Sequence, residues 1–164
     1  MAMHTVAQTE RKLSAVTGDP KLRAALDLGA MGLSASLAQT AAALRNRIEQ
    51  GPLAAVRLSF TGFQALWVVW AWPAIETREI ASELAIGKSA LSGVLATLER
   101  RGLIVRSKSN EDARLVNVSL TAEGTELIES LLPQVNAVEV VFTSAIHENN
   151  REFISDTLAQ LRAN

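Results

Sequence analysis

Apolar residues recur at helical spacing from residue 21 to about residue 50, where leucines lie among many alanines, and this pattern predicts one long helix. Gly51 and Pro52 end that helix. Thr61 and Gln64 then have the spacing of a capping box with Thr61 as N-cap. They predict a short helix that runs to about residue 70 and ends before the proline at position 73.

Two more helices are predicted between residues 77 and 101. Thr77 can cap the first of them, and Gly87 separates the two. The second begins near Lys88 or Ser89 and ends at Gly102, a residue typical of a helix C-terminus. Its apolar residues are spaced i, i+3, i+4, i+7 and share one face: Leu91, Val94, Leu95 and Leu98.

The period then changes from helical to alternating, which predicts two short strands joined by a polar loop over residues 109–113. The positions expected to face inward are Leu103 and Val105 in the first strand and Val116, Val118 and Leu120 in the second. Arg106 and Lys108 are then expected on the outer face of the first strand.

The C-terminal part of the chain is predicted to be helical again. Thr121 caps a long helix that runs to about Phe142, with Pro133 as a point of kinking. Asn149 and Glu152 have capping-box spacing and predict the start of the last helix. Helix, turn, helix and hairpin in this order predict a mostly α fold with a small β-hairpin wing, a winged helix-turn-helix plus further helices.

Composition excludes several classes of function. The 164 residues include no cysteine and two histidines, so a disulfide framework, a zinc finger and a thiol nucleophile are excluded, and a metal site is not expected. We find no nucleophile–base pair and no glycine-rich phosphate loop, so we expect neither an enzyme nor a bound cofactor. No apolar run is long enough to span a bilayer and no secretory signal is evident, which favours a cytoplasmic protein without a membrane partner.

The formal net charge is −1, so a uniformly basic nucleic-acid coat is excluded, but the charges are unevenly placed. Residues 78–114 carry seven basic and five acidic side chains, whereas residues 115–164 carry two basic and seven acidic ones. A locally basic segment beside an acidic one suggests a confined surface that faces an anion. Ordinary variation of surface charge explains the same numbers, so charge alone leaves both readings open.

The face of the second helix opposite its leucines has small and hydroxylated side chains, namely Ser89, Ala90, Ser92, Gly93, Ala96 and Thr97. Such a face can enter a DNA major groove about 12 Å wide, where Ser and Thr hydroxyls bond phosphates and base edges. Lys88 at the helix start can reach a phosphate or a guanine. Small residues also let another helix pack closely, and the helix alone does not separate these two interpretations.

The hairpin tip favours DNA binding. Asp112 and Arg114 lie two positions apart, so in an extended segment they share a face and the carboxylate can orient the guanidinium. An arginine on a narrow hairpin suits the minor groove, and Arg106 and Lys108 add positive charge nearby. The alternative is a solvent-exposed ion pair with little effect on stability.

Five segments together resemble the MarR-type family of bacterial transcription regulators: residues 79–84, 88–92, 98–106, 112–114 and 118–124. The resemblance implies a homodimer that binds pseudo-palindromic operator DNA and usually represses transcription. It implies that the first, fifth and sixth helices form the dimer interface. It also implies that residues 88–101 form the recognition helix and that Arg114 is the minor-groove arginine, with Asp112 as its orienting partner. The long segment before Pro20 departs from the family pattern.

These inferences divide the chain into an N-terminal extension (residues 1–19), a helical dimerisation region (20–59 and 121–164) and a winged helix-turn-helix DNA-binding domain (60–120). A winged domain of this size cannot bury the apolar stripes of all the flanking helices, and pairing them across a two-fold axis would. The expected DNA-binding residues are Thr77, Arg78, Lys88, Ser89, Ala90, Ser92, Gly93, Thr97, Arg106, Lys108, Asp112 and Arg114.

A small-molecule effector is the third expected partner, after DNA and a second copy of the chain. The resemblance implies small, often aromatic or phenolic anions. Trp67 and Trp70 are spaced i, i+3 and could line an apolar pocket together, although buried tryptophans are usually packing residues and the sequence favours ordinary core for both. His147 is expected at the surface or in a helix cap. A rival hypothesis for the whole protein is a winged-helix dimer that acts through protein–protein contacts without sequence-specific DNA binding.

Overall fold

The computed structural model describes residue 11, residues 20–108 and residues 115–163. The chain forms two compact units, residues 1–46 and residues 47–164. The described part of the first unit contains helix α1 (Pro20–Ala24) and most of helix α2 (Leu28–Gln50). The single helix predicted here was wrong, because residues 25–27 interrupt it. The Asp27 carboxylate accepts a 2.9 Å hydrogen bond from the Ala30 N–H and so satisfies a donor that α2 leaves open at its start.

The second unit contains the end of α2 and the elements that carry the candidate site. They are α3 (Phe60–Ala71), β1 (Ile75–Glu76), α4 (Thr77–Glu83), α5 (Lys88–Arg100), β2 (Ile104–Lys108), β3 (Val116–Leu120), α6 (Ala122–Thr143) and α7 (Glu148–Ala163). The strands form one antiparallel sheet in the order β1–β3–β2. The predicted fold class, mostly helical with a small β-hairpin, is confirmed. No helix in the described ranges is long and apolar enough to cross a membrane.

Helices α3 and α7 begin at residues other than the predicted ones. The N-cap of α3 is Ser59 and not Thr61, because the Ser59 Oγ accepts a 3.1 Å hydrogen bond from the Gly62 N–H. A distant side chain also contributes, since Glu49 Oε1 accepts a 2.8 Å hydrogen bond from the Phe60 N–H. The last helix, α7, begins one residue before the predicted Asn149.

Thr77 is the first residue of α4 and not its cap. The N-cap is Glu76, whose N–H donates to Glu79 Oε2 at 3.2 Å. Thr77 instead donates its hydroxyl to the Val116 carbonyl at 2.9 Å, which ties the start of α4 to strand β3. Strand β1, just before α4, was not predicted. It has two residues, too few to show an alternating pattern, and it pairs Ile75 with Val118.

Strand β2 has the opposite phase to the predicted one. Ile104 is 2% exposed and Val105 is 52% exposed, so Ile104 faces inward. The reason lies in the turn after α5, where Gly102 adopts a φ of 71° that glycine accepts readily. The Gly102 N–H then donates to the Glu99 carbonyl, and the Leu103 N–H to the Leu98 carbonyl. This Schellman motif keeps Leu103 with the helix, so the strand begins one residue later.

The hydrophobic core of the second unit joins α3, α5, α6 and the sheet. Its most completely buried large side chains include Leu66, Ile80, Leu91, Leu95, Leu98, Ile104, Val118 and Ile128. The cap of α6 is Thr121, as predicted, and its Oγ1 accepts a 3.0 Å hydrogen bond from the Gly124 N–H. Gly124 lies against the Leu103 backbone, where a Cβ would overlap the carbonyl oxygen and lie 2.9 Å from the carbonyl carbon. The turn between α5 and β2 is therefore in direct backbone contact with α6.

Candidate nucleic-acid interface

Helix α5 has two unlike faces, as its sequence predicts. Leu91, Leu95 and Leu98 are at most 1% exposed and attach the helix to the core. All six residues of the small-residue face are exposed, namely Ser89, Ala90, Ser92, Gly93, Ala96 and Thr97. A Cβ on Gly93 would meet no heavy atom within 4 Å, so the middle of this face borders open space. In the single chain described, these six residues are therefore accessible either to a groove or to a helix of another molecule.

The start of α5 is basic and open. Gly87 is the N-cap, Lys88 is the first helical residue, and the first turn has no acidic residue. Lys88 is exposed and takes part in neither of the ion pairs formed by described residues. A helix N-terminus favours an anion through its unpaired N–H groups and its dipole, and Lys88 adds a full charge there.

Four predicted DNA-binding residues line one cavity of about 290 Å³ beside this helix start: Thr77, Arg78, Lys88 and Arg106. The arginines are not equally available. Arg78 Nε lies 2.6 Å from Glu76 Oε2, but 66% of the Arg78 side chain remains exposed. A surface pair of this kind contributes little to stability and can exchange for a phosphate at small cost.

Arg106 is held more firmly, by Glu99 in the last turn of α5. Its Nε donates to Glu99 Oε2 at 3.0 Å, and its Nη2 contacts the same oxygen. These hydrogen bonds lower the pKa of Glu99 and raise the pKa of Arg106. The expected outer-face position of Arg106 was therefore wrong, because the shifted strand phase turns it toward α5. In this arrangement Arg106 links the helix to the hairpin.

Arg101 is a functional candidate that sequence reasoning missed. It was interpreted as part of a basic last turn, but its guanidinium donates to the carbonyls of Val56 at 2.9 Å and Arg57 at 3.2 Å. Arg57 has a φ of 50°, a strained region for a residue with a side chain. The two hydrogen bonds attach the end of α5 to the loop before α3. Only the basic character of residue 101 was visible in the sequence, since its partners are backbone atoms more than 40 positions away.

The remaining predicted residues lie at or beyond the end of β2. Lys108 is exposed, pairs with Val116 and is the last described residue before the tip. Asp112 and Arg114 lie outside the described residues. Thr97 is on the exposed face of α5, and its hydroxyl donates to the carbonyl of Gly93 in the same helix at 3.0 Å.

The two tryptophans do not form one pocket. Trp67 is 41% exposed and Trp70 is 40% exposed, so the expectation that both are core residues was wrong. Trp70 donates from Nε1 to Glu129 Oε1 at 3.3 Å. Trp67 lines a separate cavity of about 550 Å³ between α3 and α6, to which Trp70 does not contribute. The i, i+3 spacing of the two tryptophans predicted a shared face of α3. Trp70 nevertheless forms its hydrogen bond with Glu129, an exposed residue of α6, and not with a residue of the Trp67 cavity.

The described residues contain no group of three His, Asp or Glu side chains that could hold a metal ion. His147 is exposed, and its Nδ1 accepts a 3.4 Å contact from the Asn149 N–H at the start of α7, in keeping with a capping role.

The family model for the MarR family matches residues 58–116, which span α3 to the start of β3. The uncharacterised HTH-type transcriptional regulator YwaE of Bacillus subtilis is 32% identical over 139 residues, which are 85% of this chain and 81% of YwaE. The chain belongs to the MarR family. It is therefore a MarR-family transcriptional regulator, a class of regulators and not of enzymes.

Solved structures agree with this MarR-family assignment at the level of the fold. The MepR–DNA complex of S. aureus has a TM-score of 0.72 at 22% identity, covering 79% of this chain and 96% of MepR. BpsR of Bordetella bronchiseptica, whose DNA binding is regulated by 6-hydroxynicotinic acid, has a TM-score of 0.72 at 21% identity, covering 79% and 98%. The winged helix-turn-helix predicted from the sequence is thus the fold of this regulator.

Proposed function

We propose that this MarR-family regulator is a homodimer that binds pseudo-palindromic double-stranded DNA, represses transcription, and is released by a small aromatic ligand. The observation that carries the proposal is the exposed small-residue face of α5, with Lys88 at its open start. Side chains of this size let a helix approach base edges in the major groove, and Ser89 and Ser92 can donate and accept hydrogen bonds there.

The hairpin supplies the second contact in this proposal. Lys108 at the end of β2 faces the phosphate backbone, and Arg114 enters the minor groove with Asp112 as its orienting partner. Arg106 stays with Glu99 and fixes the angle between α5 and the hairpin, so that both contacts meet one duplex. Arg78 and Thr77 lie at the start of α4, beside Lys88, where they can bond phosphates.

Exposed apolar residues support the homodimer. In α7, Phe153 is 71% exposed, and Leu158 and Leu161 are 41% and 47% exposed. In α2, Leu33 is 54% exposed and Leu37 is 37% exposed. Large apolar side chains in this number are typical of a surface that another chain covers. We assign residues 20–59 and 121–164 to that interface and residues 60–120 to DNA binding. Two-fold pairing would then hold two α5 helices roughly 34 Å apart, one turn of DNA.

The proposal is tested by selecting genomic DNA fragments that the purified protein retains, then titrating a selected fragment by fluorescence anisotropy at several salt concentrations. Each neutralised phosphate should add a slope of about −0.9 to the dependence of log affinity on log salt. Ser92→Trp should abolish binding, because an indole on this face prevents groove entry. Ser82→Trp, at an exposed position of α4 outside both the assigned dimer interface and the expected DNA-binding residues, is the matched control and should bind normally.

Three results would contradict the proposal: retention of no DNA fragment, normal binding by Ser92→Trp, or a monomer in sedimentation equilibrium. The first of these, with an intact dimer, would favour the rival function of protein–protein contacts through the winged domain. Repression is tested by transcription in vitro from a promoter that contains the selected fragment, where added protein should lower the transcript yield. Activation of transcription would contradict that part of the proposal.

A further inference from the structure

The cavity between α3 and α6 is built from two matching helical stripes. Its α3 side has residues spaced i, i+3, i+4, i+7, and its α6 side presents Pro133, Asn136 and Glu139 among others. The α3 residues are Phe60, Phe63, Gln64 and Trp67. Its volume of about 550 Å³ lies in the range of small-molecule sites, roughly 300–1,000 Å³. The space can therefore hold a ligand with one or two rings.

Aromatic rings dominate one wall of the cavity. Phe60, Phe63 and Trp67 all line it, and Phe63 is buried while Trp67 is 41% exposed. The Trp67 indole also packs edge-on against Trp72, with ring centroids 6.0 Å apart and an angle of 87° between the rings. This contact restricts the orientation of the Trp67 ring. Aromatic faces carry negative electrostatic potential and attract cations that lie over them.

The opposite wall carries a single charged group, the Glu139 carboxylate. Glu139 is half-buried, and Asn136 Nδ2 approaches its Oε2 at 3.4 Å, which is long for a hydrogen bond. No Lys, Arg or His is among the cavity-lining residues in the part of the chain that the structure describes. Neither ion pair between described residues involves Glu139. Among the described lining residues, a carboxylate ligand would thus meet a negative charge and no cation, whereas a cationic ligand would meet both a carboxylate and aromatic faces.

We propose that this cavity selects a lipophilic organic cation, an aromatic or alkyl group next to an amine or quaternary ammonium, over an aromatic carboxylate. The ligand class is opposite in charge to the aromatic anions that the family resemblance implies. The inference deepens the ligand control proposed above and rests on it. In the bound state the ammonium group lies between Glu139 and the Trp67 face, and the apolar part fills the space beside Phe60 and Phe63.

Binding is measured by titration calorimetry of the full chain without DNA, using three probes of one shape. They are phenylpropyl-trimethylammonium, its uncharged tert-butyl analogue and a phenylalkyl carboxylate of equal length. We expect the cation to bind at least tenfold more tightly than the uncharged analogue, and the carboxylate at least tenfold more weakly. Glu139→Gln should reduce the ratio of cation to neutral affinity about tenfold. Glu126→Gln, at an exposed position of α6 outside the cavity, should leave the ratio unchanged.

Glu139→Lys is a second variant, which should reverse the preference and bind the carboxylate probe best. Equal or stronger binding of the carboxylate by the natural chain would overturn the inference. So would an unchanged ratio in Glu139→Gln, or no saturable binding of any probe. Circular dichroism melts of each variant verify that it folds.

The same probes are then added to the chain bound to its selected DNA fragment, and release is followed by anisotropy. We expect the cation to release DNA at tenfold lower concentration than the carboxylate. DNA binding without any response to the cation would overturn this inference and leave the DNA-binding function in place. Cation binding by a chain that retains no DNA would overturn the proposed function and, with it, the effector role of the ligand, while the charge preference of the cavity would stand.

Discussion

Replacing Gly124 by alanine tests the backbone contact between α6 and the turn that joins α5 to β2. The added Cβ would overlap the Leu103 carbonyl oxygen, and backbone cannot move aside as the end of a flexible side chain can. The same oxygen accepts a 3.1 Å hydrogen bond from the Thr121 N–H, and the Leu103 N–H donates to the Leu98 carbonyl. Leu103 is thus held from both sides, so relief of the overlap requires a shift of the α6 start away from the sheet.

The magnitude follows from three contributions. Forcing an extra carbon into a packed site costs about 1–3 kcal/mol, and weakening the Thr121 hydrogen bond costs about 1 kcal/mol. Alanine regains about 0.5–1 kcal/mol of helix propensity over glycine. The expected net loss is about 1–3.5 kcal/mol of unfolding free energy. For a chain of this size that corresponds to a fall in Tm of about 2–14 °C, since 1 kcal/mol shifts Tm by about 2–4 °C.

The measurement is thermal and urea unfolding followed by circular dichroism at one fixed protein concentration, because the Tm of the proposed dimer would depend on concentration. Gly93→Ala is the matched control, since its Cβ meets nothing within 4 Å and the helix gains propensity. It should keep or slightly raise Tm. A Gly124→Ala protein that melts within about 1 °C of the natural chain would refute the reasoning, because an overpacking cost of even 1 kcal/mol should exceed that shift.

Three further predictions concern the interface. Arg114→Ala should weaken DNA binding by about 1–3 kcal/mol in a salt-controlled titration with the dimer intact, and unchanged affinity would remove Arg114 from the minor groove. Arg101→Ala should lower the unfolding free energy measured in urea by about 1–2 kcal/mol, because the two hydrogen bonds to the Val56 and Arg57 carbonyls are lost. If the unfolding free energy falls less in Arg101→Ala than in Lys88→Ala, these two hydrogen bonds are not needed for stability. In an NMR titration, the pKa of the Glu99 carboxyl should lie below its ordinary value because of the hydrogen bond with Arg106. The Glu99–Arg106 pair therefore stabilises the fold at pH values above the unfolded-state pKa of Glu99, and this stabilisation is lost as the pH falls through the folded-state pKa. In Arg106→Gln the Glu99 titration should return toward its ordinary value, and no change would contradict the pairing.

The helices of the candidate site could be predicted from the sequence because each is specified by a long local pattern. The apolar stripe of α5 repeats over two turns, and Thr121 and Gly102 mark boundaries that depend on neighbours within a few residues. Because the apolar stripe faces the core, the remaining positions of α5 must lie on its exposed face, so that face could be predicted together with the stripe. These signals need no knowledge of the rest of the chain, which is why they were confirmed.

The errors arise where distant atoms decide the local structure. Glu49 contributes to the start of α3 from 11 positions away, and Val116 draws the Thr77 hydroxyl from 39 positions away. Strand β1 exists because β3 offers it a partner, and its two residues carry no pattern of their own. The phase of β2 follows from the Schellman turn at Gly102, which absorbs one residue that alternation would assign to the strand. A single-residue shift of this kind is enough to move Arg106 from one face to the other.

Arg101 attaches α5 to main-chain oxygens, and every amino acid at positions 56 and 57 supplies the same two oxygens. Substitutions at these two positions therefore cannot remove the two carbonyl oxygens and can only shift their positions. If α5 reads DNA as proposed, its exposed positions could be changed to recognise another base sequence while this attachment, and hence the orientation of the helix, stays unaltered.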